Sequence, residues 1–154
     1  MFLPQPLNYM MIVVQAVLLA LSALFIPKIG AMSVGAVGGL LTALISGAAL
    51  GPFTFFFAFL FGVFVDVFLF IFKVKGSPQG ISRNRLMAAM AVSTLLIAFS
   101  SYLAFTMGFF YISLLVQRSP MLDALVLFMG PATGAVAGYA ASYLWNKYLR
   151  YISI

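Results

Sequence analysis

Two carboxylates, Asp66 and Asp123, make up the whole acidic inventory of this 154-residue chain, and histidine and cysteine are absent. The chain therefore offers no imidazole base, no thiolate nucleophile, no disulfide and no soft metal ligand. Two acids are also too few for a carboxylate metal cage. No enzymatic activity, cofactor or metal is expected. What remains is one acid in an improbable setting: "FGVFVDVFLF", residues 61–70, surrounds Asp66 with large apolar side chains.

The elements that position Asp66 must be built for lipid. Hydrophobic residues are 65% of the chain and charged ones 6%, with a mean hydropathy of +1.19. A soluble domain of that composition would aggregate. The expectation is an all-α, polytopic integral membrane bundle, one domain over residues 1–154. The formal charge of +6 comes from basic residues in the gaps between apolar runs. There they face headgroups, so membrane lipids are expected partners and nucleic acid is not. "MFLPQPLNYMMIVVQ" lacks a basic n-region, which makes the first apolar run a retained span rather than a signal peptide.

Breakers divide the chain into Tyr9–Ile26, Ala31–Leu50, Phe53–Phe72, Leu86 to about Phe105, and Pro120 to about Trp145. Each run approaches the ~20 residues that cross a bilayer. Ser82 is placed to cap the fourth helix and Pro120 to open the fifth. As one helix, 86–116 would be ~46 Å long, too long without strong tilt. As two helices it leaves 109–116 too short to span. A surface segment carrying Phe109, Phe110 and Tyr111 resolves the difficulty and gives five spans, with six as the alternative. Five spans put Lys28, Lys73, Lys75, Arg83, Arg85, Lys147 and Arg150 on one side and Arg118 on the other. The positive-inside rule then sets a cell-membrane protein with its N-terminus outside and its C-terminus cytoplasmic.

Lipid gives helices no hydrophobic reason to associate, so close approach must hold them. The second helix carries Gly35, Gly39, Ala43, Gly47 and Gly51, and the fifth Gly130, Gly134, Gly138 and Ser142. The third is rich in phenylalanine, which suggests rings packed against a glycine groove inside the bundle, with ridges facing other integral membrane subunits as the alternative. Leucine at Gly39 or Gly138 is expected to disrupt packing, and at Gly76 in the polar loop to be mild.

Asp66 lies six residues from the end of its helix, ~9 Å deep. Ser22, Ser93, Thr94 and Tyr139 fall at matching depth, and Gly62 leaves space one turn away. The expectation is an interior carboxyl, at least partly protonated, bonded to a hydroxyl on the fourth or fifth helix. Fixing helix register, handling a solute or ion, and pairing with a partner's cation are its possible roles. Asp123 sits in a first helical turn, where the helix dipole favours an acid. Gln15, Thr42 and the Gly130–Pro131 interruption fall near mid-membrane, and Pro131 should bend its helix. Such interruptions facing polar side chains point to transporter sites. Arg83 and Arg85 read as interfacial anchors. Tyr143, Trp145, Tyr148 and Tyr151 read as an aromatic belt.

"ISGAALGPFTFFFAFLFGVFVDVF" (45–68), "SRNRL" (82–86) and "MGPATGAVAGYAASYLW" (129–145) resemble the membrane-embedded S components of energy-coupling-factor vitamin transporters. The resemblance implies that Ala16, Ala20 and Ala23 contact a coupling subunit. Two functions stand as expectations. One is a transporter subunit binding or translocating a small solute at Asp66, Gln15, Thr42, Ser93, Thr94, Gly130, Pro131 and Tyr139, with energy from partner subunits. The other is a non-catalytic accessory subunit of a larger membrane complex, for example a respiratory one.

Overall fold

A computed structural model describes residues 5–26, 29–46, 51–77, 79–106, 120–149 and 151, and excludes the side chains of 5–12, 45–46, 51, 105 and 120–126. The described residues form an all-α architecture of five helices: α1 Gln5–Phe25, α2 Gly30–Ser46, α3 Gly51–Ile71, α4 Arg83–Thr106 and α5 Pro120–Leu144. α5 continues into a π-helical turn, Trp145–Leu149. Gly51–Pro52 opens α3 rather than closing α2, since a proline without an N–H fits the first turn. α4 ends at Thr106, as expected, and the surface segment with Phe109, Phe110 and Tyr111 lies outside the described residues. Ser82 stands at the N-cap of α4, its carbonyl accepting the Leu86 N–H at 3.2 Å. Two stretches, Pro52–Ile71 and Arg83–Ala104, are long and apolar enough to cross a membrane. Val13–Phe25 and Gly30–Leu44 are shorter apolar helices.

Successive helices pack side by side, and α1 closes the bundle against α5. The core is built from Leu19, Ala20 and Leu24 of α1, Phe61, Val65 and Leu69 of α3, Leu86 and Met90 of α4, Ala137 and Ala141 of α5, and Trp145 of the π-helical turn. Ala16, Ala20 and Ala23 are all buried in this core. The alanine face of α1 therefore packs internally and does not present the outward contact that the resemblance implied.

The two most extensive interfaces are α2 with α3 and α4 with α5, and small residues explain both. A Cβ added at Gly35 would fall 2.6 Å from the Ala58 carbonyl oxygen, and one at Gly39 2.8 Å from the Ala58 Cβ. One at Gly62 would meet the carbonyl of Ala31. The glycine groove of α2 thus meets the small residues and bare backbone of α3, not the expected phenylalanine rings. Phe55, Phe56 and Phe70 instead lie exposed. Across the other seam Gly130 faces Ala98, Gly134 faces Thr94 and Met90, and Gly138 faces the Met87 Cα at 2.8 Å. Backbones can approach this closely only where no Cβ intervenes.

One end of the bundle is tied by loop contacts. Lys73 takes a left-handed φ of 53° after α3, with the Lys73 N–H donating to the Phe70 carbonyl and the Val74 N–H to that of Leu69. This Schellman closure turns the chain so that Val74 packs on the core. Gly76 then lies against the Leu24 carbonyl, and its missing Cβ would fall 2.8 Å from the Trp145 ring. Trp145 Nε1 donates to the Ser77 carbonyl at 3.2 Å, and its ring meets Phe25 edge-on at 4.9 Å. Gly76 is consequently a packing position, contrary to the expectation of a tolerant loop. Lys73, Lys75, Arg83, Arg85 and Lys147 gather at this end, as the alternation of helix direction requires.

These seams predict a contrast among glycines. Gly62→Ala and Gly134→Ala should lower the thermal midpoint in detergent, each costing ~1–3 kcal/mol through overpacking. Gly38 has open space around its missing Cβ. Gly38→Ala should be neutral or stabilise by up to ~1 kcal/mol through helix propensity. Thermal scans of the three variants check the ranking.

Candidate functional site

α2 begins without a cap of its own. Ile29 holds the N-cap position, its carbonyl accepting the Ser33 N–H at 3.0 Å, but its side chain has no acceptor. The first-turn N–H groups of a helix need one. Asp66, on α3, supplies it: Oδ1 accepts the Ala31 N–H at 3.1 Å and Oδ2 the Met32 N–H at 2.8 Å. These are the second and third residues of α2, where a local Ser or Asp cap would bond. Gly62, one turn before Asp66 on the same face, lets the start of α2 come within reach. The carboxyl oxygens also meet the positive end of the helix dipole.

Both oxygens accept, so Asp66 does not act as the hydroxyl-bonded donor expected of it. The hydroxyls expected as its partners are engaged elsewhere. Ser93 Oγ donates to the Ala89 carbonyl at 2.8 Å and reaches that of Phe64, across the α3–α4 interface, at 3.3 Å. Thr94 Oγ1 donates to the carbonyls of Met90 and Ala91, and Ser22 Oγ to that of Leu19. Gln15 and Thr42 are exposed on the outside of the bundle, and Thr42 Oγ1 donates to the Gly38 carbonyl at 2.7 Å. Gly130 packs on α4, and α5 runs without interruption through Pro131. Thr133 Oγ1 donates to the Gly130 carbonyl at 2.7 Å beside the proline. The expected site residues are thus dispersed among separate contacts.

Tyr139 belongs to a different constellation. At the basic end an open groove of about 500 Å³ is lined by Arg83, Tyr139, Ser142, Tyr143, Asn146, Lys147 and Tyr151. The Arg83 guanidinium lies 5.1 Å from the Tyr139 ring centroid, and the Lys147 ammonium 5.2 Å from those of Tyr143 and Tyr148. Lys147 Nζ donates to the Tyr143 hydroxyl at 2.8 Å. Hydrogen bonding to Tyr143, then to Tyr148, holds the Lys147 pKa above the ordinary lysine value, so the ammonium stays charged at neutral pH. Asn146 fixes the groove floor to the α3–α4 loop. Its Oδ1 accepts the Ile81 N–H at 2.8 Å and its Nδ2 donates to the Ile81 carbonyl at 3.1 Å.

Asn146 and Lys147 escaped the sequence reading as site residues, although a signal existed. Tyr139, Ser142, Tyr143 and Asn146 recur at three- and four-residue spacing, one polar stripe on an otherwise apolar helix. No family model matches the chain, and no similar curated protein or solved structure is found.

The clamp predicts an order of stability. Asp66→Asn keeps one acceptor but turns an amide N–H₂ toward a backbone donor, so it should cost ~1–2 kcal/mol. Asp66→Ala leaves both N–H groups without the carboxylate and should cost more. Chemical denaturation in detergent should rank wild type above Asn above Ala. Equal midpoints for all three would contradict the clamp.

Proposed function

We propose that this chain is an integral membrane bundle, crossing the bilayer five times, that serves as a non-catalytic subunit of a larger membrane assembly. The observation that carries the reading is the engagement of Asp66. Asp66, half-buried on α3, is committed to holding α2 on α3, and Gln15 and Thr42 face outward. A solute site built from Asp66, Gln15, Thr42 and Gly130–Pro131 would need those groups to share one space. The geometry therefore favours an accessory role over solute handling.

The outer surface supports the membrane part of the proposal. Leu44, Phe70 and Phe128, on three different helices, are 73%, 75% and 82% exposed. Val37, Leu40, Leu41 and Ile71 are exposed as well. An apolar surface of that breadth needs lipid or neighbouring subunits around it. α2 has 17 residues and α5 has 25, ~26 Å and ~38 Å of helix, which bracket a ~30 Å hydrocarbon core. The gathered lysines and arginines support a cytoplasmic basic end by the positive-inside rule. Because the glycine ridges are consumed inside the bundle, partners would meet the chain through its large apolar side chains.

Orientation and assembly are testable together. With no native cysteine, Gln79→Cys places a single thiol in the loop at the basic end. An impermeant maleimide should label it only after the cells are permeabilised. Purification in mild detergent should recover a second integral membrane protein with the chain. Labelling in intact cells would reverse the orientation, and recovery of the chain alone would contradict the subunit role.

A further inference from the structure

We propose that the groove between α5 and the start of α4 binds a phosphate group, with Arg83 and Lys147 as its two cationic contacts. Among the described side chains, no carboxylate is placed to neutralise them. Both oxygens of Asp66 are bonded to the first turn of α2. Asp123 lies near the other end of α5, ~24 Å of helix before Tyr139. The two cations are instead held against aromatic rings, Arg83 on Tyr139 and Lys147 between Tyr143 and Tyr148. A cation over a ring keeps its N–H donors available at the edges, and a planar guanidinium suits two phosphate oxygens at once.

The groove wall also offers the Tyr143 hydroxyl, and the double hydrogen bond between Asn146 and Ile81 keeps its two sides in register. Its volume of about 500 Å³ admits a phosphate diester with an attached headgroup. The location suits a phospholipid, because Lys73, Lys75 and Arg85 crowd the same end and would draw anionic lipid to it. The site rests on the groove's own geometry and holds whether or not the subunit role is correct.

The test uses the full-length protein in mild detergent. Native mass spectrometry would follow its adducts with dioleoyl phosphatidylglycerol, dioleoyl phosphatidylcholine and inorganic phosphate. Wild type should retain phosphatidylglycerol over phosphatidylcholine, and the Arg83→Gln/Lys147→Gln pair should weaken that retention about tenfold or more. Arg85→Gln, a nearby charge outside the groove, should change it less than about twofold. Competition by millimolar inorganic phosphate would support the site and assign it to a soluble phosphate ligand. Retention of the lipid despite that phosphate would support the site and assign it to a headgroup. Thermal scans establish that the variants fold. Should the double variant fail to fold, each single variant should weaken retention on its own. Unchanged retention in the folded variants, or equal sensitivity to Arg85→Gln, would overturn the proposal.

Discussion

The start of α2 depends on a carboxylate that belongs to another helix. Ile29 cannot cap α2, so the first-turn N–H groups of Ala31 and Met32 reach Asp66, 35 and 34 residues further along the chain. In water such groups would be satisfied by solvent. In the bilayer proposed for this chain solvent is scarce, and a donor left unpaired in hydrocarbon would cost several kcal/mol. The acid gains as well, because an isolated carboxylate in hydrocarbon is costly and a pair of N–H groups at a helix start offsets that cost. Donor and acceptor therefore hold each other in place. The absence of side chains at Gly35 and Gly62 is what allows the two helices to come close enough.

The rest of the fold follows from where α2 and α3 sit. α3 contributes Phe61, Val65 and Leu69 to the core from the side opposite its outward phenylalanines. α1 lays leucines and alanines into the core, and the α4–α5 pair is joined through a second glycine seam. At the basic end the π-helical turn after α5 brings Trp145 onto Gly76 and Asn146 onto Ile81, which locks the α3–α4 loop. That local widening of the helix also turns Lys147 toward the groove. The groove is thus a by-product of how the last helix ends.

Much of this was legible in residue types. Proline, glycine and charge marked four of the helix junctions. Ser82 was placed at its cap, and the four-residue glycine spacing of α2 and α5 pointed to seams. The partners across those seams were harder to read. Asp66 stood out by its setting, but its partners are main-chain N–H groups, which every residue carries and no sequence pattern advertises. The phenylalanine richness of α3 suggested ring packing, yet Ala58 and Gly62 form the contact because a backbone seam excludes large side chains. Gly76 looked like a solvated loop residue because its neighbour, Trp145, arrives from 69 positions away. Gln15 and Thr42 shared a depth with Gly130–Pro131, but depth along a helix says nothing of which face a residue occupies.

Amide hydrogen exchange in detergent, resolved over residues 29–36 and 130–142, tests the clamp most directly. It should compare wild type with Asp66→Ala under conditions where both remain folded. The account predicts faster exchange in the Asp66→Ala variant confined to the first turn of α2, at Ala31 and Met32, with the α4–α5 seam unchanged. Identical protection at Ala31 and Met32 in the two proteins would contradict it.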